Sequence, residues 1–535
     1  MHFRRYWAGM LCVTLAGALA LGALAGCAKK AAPAAPPAPS KAEVATYVNN
    51  SEIIVFWDPS ESGSNEIIAL NNIYETLLYY NSGTGECDPV LATSFQVSPD
   101  GKTWTFDIRK GVKFHCGHAM DANAVKYSIE RTKNGGKGAS WLWDPVEAIS
   151  VLDPYKVEFK LKFSSPLDVA LAAGYGAHIM CPVCTEAKGH DYLLQGHAFG
   201  TGPYMIESWK QAEQELVLTR FPDYWRGWQG KHFDKVVFKT VPEAATRRQI
   251  LEAGQADFTE MLPYEMVKAM EGNPKIHIEV TPSYQNMLGL INTQKGALKD
   301  KRVRQAICYA VPYSDIIQHV MYGYAEQSKG VIPHGLWGHD ENLFQYSLDL
   351  DKARALLKEA GYGNGGLNLV MTYVAGDENE RRAGELVKAK LAELGINLEV
   401  RGMPWEAQWD LAKAPKPEDR QDIFVFYWWP DNANPQSYLS RVFMWQEPIH
   451  FNLSYYKNPA FDALVQEGIE WAGADRARTI ECYRKAQEMI IEDAAAIFFF
   501  DQSYVRPMRA SFKGFKDNPA YPNVVFFYNT YREGE

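Results

Sequence analysis

The sequence predicts an α/β protein, and three observations carry that expectation. In the C-terminal half, stretches with helical spacing alternate with short apolar runs, the pattern of helices layered on a sheet. Gly361 and Gly395 close two of the helical stretches just before a strand, where glycine is the usual stop residue. The 535 residues are 47% hydrophobic and 22% charged, an ordinary globular balance on a chain long enough for several domain-sized units. A disordered chain, a collagen-like repeat and a polytopic membrane protein are thereby excluded. The formal charge of −9 argues against nucleic acid as a partner, because phosphate binding needs a basic surface. The 15 Trp, 29 Tyr and 25 Phe are the least ordinary feature.

The elements follow in chain order. Residues 52–57 form a short apolar run that ends at Asp58-Pro59, a strand leaving into a loop. Residues 67–79 have helical spacing, with Leu70, Ile73, Tyr74 and Leu77 on one face. Residues 104–108 and 157–161 alternate as half-exposed strands. Asp121 is placed to cap a helix running to about Arg131. Residues 244–253 are helical and Gly254 follows as a stop. Helices are then expected over 300–310, 350–360, 380–394 and 474–493, with strands over 367–374, 396–400 and 422–427.

The N-terminus has Arg4 and Arg5 before an apolar stretch from Tyr6 to Ala25, the plan of a secretory signal. The stretch ends in Leu24-Ala25-Gly26-Cys27, which resembles a bacterial lipobox. That implies cleavage before Cys27 and lipidation of its thiol. A transmembrane anchor with an incidental cysteine is the alternative. An Ala/Pro tract to residue 44 reads as a semi-extended spacer.

Six cysteines remain: Cys87, Cys116, Cys181, Cys184, Cys308 and Cys482. Cys308 and Cys482 sit in helical patterns and read as buried small hydrophobes. Cys181-Pro182-Val183-Cys184 and His115-Cys116-Gly117-His118 offer zinc-ligand types. A second C-x-x-C is absent, so one or two disulfides among the four N-terminal cysteines are expected instead, as suits an exported chain.

Six ordered blocks then carry a resemblance. They are Leu91 to Phe95 with Ser98-Pro99-Asp100-Gly101 and Ile108 to His115; Gly200-Thr201-Gly202-Pro203-Tyr204; Leu251 to Asp257; Asn292-Thr293 with Asp300 to Ala306; Asp431-Asn432-Ala433-Asn434-Pro435; and Tyr483 to Gln487. Together they resemble the family 5 extracellular solute-binding proteins, which serve ABC importers of dipeptides, oligopeptides and nickel. Cys116 stands where that family usually has Asp, and Asn123 near another usual Asp.

The resemblance implies a two-lobe α/β fold of the periplasmic-binding-protein kind (type II), with a hinge and an extra subdomain in the first lobe. The expected organisation is a signal at 1–27, a spacer at 28–44, a first lobe at 45–280 with the subdomain at about 80–195, a second lobe at 281–495, and a return to the first lobe at 496–535. It implies that Asp431 pairs with the α-ammonium of a peptide. Ligands in open α/β sheets bind beyond the carboxyl ends of strands, which brings Trp428, Trp429 and Asn432 into the candidate set. Only one of the two tryptophans should face the cleft, since side chains alternate along an extended segment. Trp405, Tyr284, Asn286 and Trp57 complete the set. Arg302 and Arg304 are expected to pair with acids on the surface.

The function implied is capture of a peptide or similar small organic ligand by a monomeric lipoprotein. It would sit in the periplasm or on the outer face of the cytoplasmic membrane and deliver its ligand to an ABC permease. No cofactor and no catalysis are expected. A binding protein for a metal chelate such as nickel, or for a short oligosaccharide, is the alternative. A secreted hydrolase would need a nucleophile or metal motif such as Gly-x-Ser-x-Gly or His-Glu-x-x-His, and the chain has neither.

Overall fold

The computed structural model describes residues 42–51, 57–430 and 432–534. Residues 42–535 form one compact unit. The expected signal, Cys27, the spacer up to residue 41, most of the expected first strand and Asp431 lie outside the described residues; at the spacer's expected end, Val44 already begins the strand Val44–Asn49.

One eleven-stranded sheet runs through the unit. Its order is Asn397–Met403, Asn368–Val374, Ile423–Trp428, Ile276–Ile291, Ala496–Arg509, Phe258–Thr259, Val44–Asn49, Lys235–Thr240, Glu215–Arg220 and Tyr204–Lys210, with Ala325–Glu326 also paired to Ala496–Arg509. The two longest strands, Ile276–Ile291 and Ala496–Arg509, are antiparallel from Ile276↔Arg509 to Leu290↔Ala496. At one end Met508 pairs with Phe258; at the other, Asn286 to Ile291 pair with Trp428 to Ile423. The long pair therefore joins two sheet halves, the arrangement of a two-lobe binding fold. The register shifts between Pro282 and Gln285, and Tyr284 sits there at φ 58°. A bulge with a left-handed tyrosine bends a strand where it passes between halves.

A separate four-stranded antiparallel sheet has the order Ala92–Val97, Thr103–Ile108, Lys156–Leu161, Val146–Asp153. Trp104, Phe106, Val157 and Phe159 point inward from it with the strand period of two. They pack with Val125 and Ile129 of the helix Ala122–Gly135. That helix begins where the sequence places it, because the Asp121 carboxylate accepts the Asn123 and Ala124 amides.

The same capping logic holds at Lys301–Tyr309, where Asp300 accepts the Arg302 amide, and at Leu350–Glu359, where Asp349 accepts that of Lys352. Gly361 and Gly395 have positive φ. The helix expected over 67–79 is shorter. It spans Ile67–Ile73, and Tyr74 is already extended. Residues Leu78–Asn81 instead pair with Glu86–Pro89 as a hairpin, so cross-strand bonding overrides the local helical spacing. Arg302 pairs with Asp300 at 2.6 Å, but buried Arg304 donates to the carbonyls of Leu298, Lys299 and Asp493 rather than to an acid.

The expected disulfides are not formed: all six described cysteines are free. Cys87 stands alone, and Cys116, Cys181 and Cys184 gather around an imidazole instead of pairing.

Candidate ligand-binding cleft

The strand Ile423–Trp428 ends in the loop that carries the expected ligand contacts. Its buried run of Ile423 to Phe426 holds the strand in the core, so the chain emerges at Tyr427 with two tryptophans in succession. Trp428 turns inward. Its ring lies 5.1 Å from Phe451 and 6.0 Å from Phe426, and its indole N–H is buried with no partner. Trp429 points the other way and is 57% exposed. Trp405 opens the helix Trp405–Ala412, half-exposed and tilted against Trp409 at 5.4 Å.

Beyond the undescribed position 431 the loop is held by its own polar groups. The Asn434 amide donates to the Asn432 carbonyl at 2.7 Å, and the Asn434 side chain accepts the Gln436 amide at 3.0 Å. The Trp337 indole donates to the Ala433 carbonyl at 2.7 Å. The helix Gln436–Ser440 follows, and its Tyr438 hydroxyl donates to the Tyr284 carbonyl at the bulge. The loop is thus tied directly to the strand that joins the sheet halves.

This loop forms one wall of a cavity of about 210 Å³; the other wall comes from Trp141, Phe163, Ser164 and Pro166 beside the four-stranded sheet. Ser164 and Ser437 are among its lining residues, and their hydroxyl oxygens are themselves buried with no hydrogen-bond partner. Arg441 lies over the Trp141 ring at 6.0 Å, a cation–π contact across the same gap.

Of the predicted positions, Asn432 lines this cavity and the other six described ones lie outside it. Tyr284 lines a separate cavity of about 140 Å³ with His334 and Asp501. Its hydroxyl is pushed well above the usual phenol range by burial and by the Tyr80 hydroxyl. Asn286 is fully buried and donates to the Val331 carbonyl at 2.7 Å. Trp57 is buried in the first sheet half, edge-on to Trp209 at 5.7 Å.

Sequence reasoning missed three groups. Asp501 is buried in the sheet, accepting the Ser328 hydroxyl at 2.6 Å and the His334 amide at 2.8 Å. Burial lifts its carboxyl to about 6. Glu75 lines a cavity of about 580 Å³ in the first half. It accepts from Thr201, Tyr224 and Trp225, each at 2.9 Å, and burial raises its pKa against those bonds. Arg476, at the start of the helix Arg476–Glu492, reaches Asp168 and the Gly85 carbonyl. Gly200 to Tyr204 was legible as a block, but the link of its Thr201 to Glu75 depends on the fold.

The fold and the cleft define a two-lobe binding protein. Residues 86–447 match the model of the bacterial extracellular solute-binding proteins, family 5 (middle region), and the chain belongs to that family. The "Probable D,D-dipeptide-binding periplasmic protein DdpA" of Escherichia coli is 29% identical over 460 residues, covering 84% of this chain and 87% of that protein. The periplasmic binding protein DppA of Helicobacter pylori, solved with the peptide STSA, is 26% identical with a TM-score of 0.71, covering 92% and 98%. HbpA2 of Haemophilus parasuis is 22% identical with a TM-score of 0.82, covering 92% and 100%, and shares the fold. Among the described residues no helix is long and apolar enough to cross a membrane.

Proposed function

We propose that this chain is the substrate-binding lipoprotein of an ABC importer and that its solute is a short peptide. The observation that supports this most is the loop at the carboxyl end of Ile423–Trp428. It faces the Trp141 and Phe163 side across a cavity lined by both aromatic and polar residues. The two long strands offer the flexible connection along which the lobes would close. The lobes are drawn as 45–280 with 496–535, and as 281–495, with a subdomain at about 80–195.

A peptide suits this cleft for chemical reasons. Trp429 and Trp405 offer large apolar faces that tolerate varied side chains. Asp431 is assigned the peptide ammonium, where a carboxylate makes a charge-assisted bond. DdpA and the STSA-bound protein, by their names, handle peptides. Cys27 carries the lipid anchor, and the spacer to residue 44 holds the monomeric body off the outer face of the cytoplasmic membrane. The closed, loaded state would be preferred by the permease, which needs differential affinity between states and no catalysis.

Mass spectrometry of small molecules released from the purified, denatured protein tests the reading. Peptides of a few residues support it. Recovery of a metal chelate or a saccharide in their place would overturn it.

A further inference from the structure

Outside the cavity at the cleft loop, four side chains converge that ligand capture does not use. The Sγ atoms of Cys116, Cys181 and Cys184 and one ring nitrogen of His118 all lie within 4.8 Å of one another. His118 Nδ1 is 3.4 Å from Cys116 Sγ and 3.5 Å from Cys184 Sγ. Tetrahedral zinc, with Zn–S of about 2.3 Å and Zn–N of about 2.0–2.1 Å, sets ligand atoms about 3.6–3.8 Å apart. We propose that Cys116, His118, Cys181 and Cys184 bind one zinc ion as a structural Cys₃His site.

Both arms have the local shape that such a site needs. Gly117, at φ 88°, turns the chain between Cys116 and His118 so that both side chains reach one point. The turn is closed by Gly117 N–H to the Phe114 carbonyl at 2.8 Å and Phe114 N–H to the His118 carbonyl at 2.9 Å. On the other arm, Cys181 is the N-cap residue of the helix Pro182–Lys188 and Cys184 sits one turn in.

A disulfide explains the cluster less well. It would need two sulfurs about 2.05 Å apart, would leave the third thiol over, and gives no role to His118. All three thiols are free. Three thiolates and an imidazole select zinc over calcium or magnesium, which prefer oxygen ligands. Four protein ligands leave no open position, so the role is structural. Zinc binding displaces up to three thiol protons to solvent. The ion would tie the turn before the helix Ala122–Gly135 to a segment 65 residues on. Beside it, the His115 ring contacts the Gly202 carbonyl at 2.9 Å, so the clip would also brace the turn at Gly200 to Tyr204. This inference is independent of the peptide reading.

The test is metal analysis of the purified protein after dialysis against metal-free buffer, with zinc alone added back in competition with a chromophoric chelator. One tightly held zinc per chain is expected. Cobalt(II) alone should give the visible absorption of a tetrahedral thiolate site. Cys184→Ser and His118→Ala should lose the tight ion, while Cys482→Ser keeps it. Because a variant could fail to fold, the wild-type cobalt spectrum stands as a separate criterion. No stoichiometric zinc and no tetrahedral cobalt spectrum would overturn the proposal. So would a disulfide among Cys116, Cys181 and Cys184 in the unreduced protein as isolated, found by peptide mapping.

Discussion

The Arg476 guanidinium donates to the Asp168 carboxylate at 2.9 Å, and its other arm donates to the Gly85 carbonyl at 2.9 Å. Arg476 opens a helix packed on the Ile423–Trp428 side of the molecule, while Asp168 and Gly85 lie by the hairpin and the four-stranded sheet. Asp168 is buried, and burial raises its pKa although Arg476 opposes that. Removing the arginine would leave a buried carboxylate without its cation, which in a rigid core costs about 3–5 kcal/mol. Opening the cleft offers water to Asp168 instead. Arg476→Ala is therefore expected to enlarge the ligand-free protein in small-angle scattering and to weaken ligand binding roughly tenfold. Unchanged scattering with unchanged affinity would show that the pair does not bias closure.

Gly473 lies in the same contact. A Cβ there would stand 2.5 Å from the Ser165 carbonyl oxygen, well inside van der Waals contact. Gly473→Ala is expected to hold the two sides apart and raise the ligand Kd about tenfold. The ligand-free melting temperature should change little, because separation relieves the clash. Calorimetric titration beside a thermal melt reads both quantities.

The adjacent tryptophans should separate stability from binding. Trp428 packs on Phe451 and Phe426, so Trp428→Ala should cost about 3 kcal/mol in denaturant unfolding. Trp429, 57% exposed, should cost no more than about 0.5 kcal/mol. Its removal should instead weaken ligand binding. A reversal of the two stability effects would contradict the placement of the rings.

Buried Glu380 sets a pH dependence. Its carboxyl accepts the Val374 amide at 2.8 Å, yet burial, opposed by that bond and reinforced by Asp377, lifts its pKa to about 8. The folded state thus keeps a proton that the unfolded chain loses above its ordinary value of 4.5. Stability from this group is full below pH about 4.5 and falls as pH rises to about 8, by at most about 1.4 kcal/mol per unit. Glu380→Gln keeps the acceptor and should flatten that slope, measured as unfolding free energy at several pH values. An unchanged slope would place the titration elsewhere.

Much of the fold was legible because its signals are local. Asp121 and Asp300 cap helices through amides two or three residues on, and Gly361 and Gly395 stop helices by their own backbone. What failed depended on distant partners. Leu78 to Asn81 left a helical pattern to pair with Glu86 to Pro89. Trp57 looks like a loop residue until Trp209 covers it. Cys116 and Cys181 are far apart in sequence, and only the folded chain shows that they share His118. The alternation of Trp428 and Trp429 could be read from an extended strand. The Trp141 wall opposite Asn432 could not, since no local pattern links the two.

The central claim is that the cleft captures peptides through Asp431. Its most direct test is retention: the purified protein is mixed with a defined set of di- to pentapeptides, passed through a desalting column, and the retained peptides are identified by mass spectrometry. The expected result is a selected subset held by the wild type, with the same peptides retained at least tenfold less by Asp431→Ala. A wild-type protein that holds no peptide, or an Asp431→Ala variant that retains the same set equally well, would contradict it.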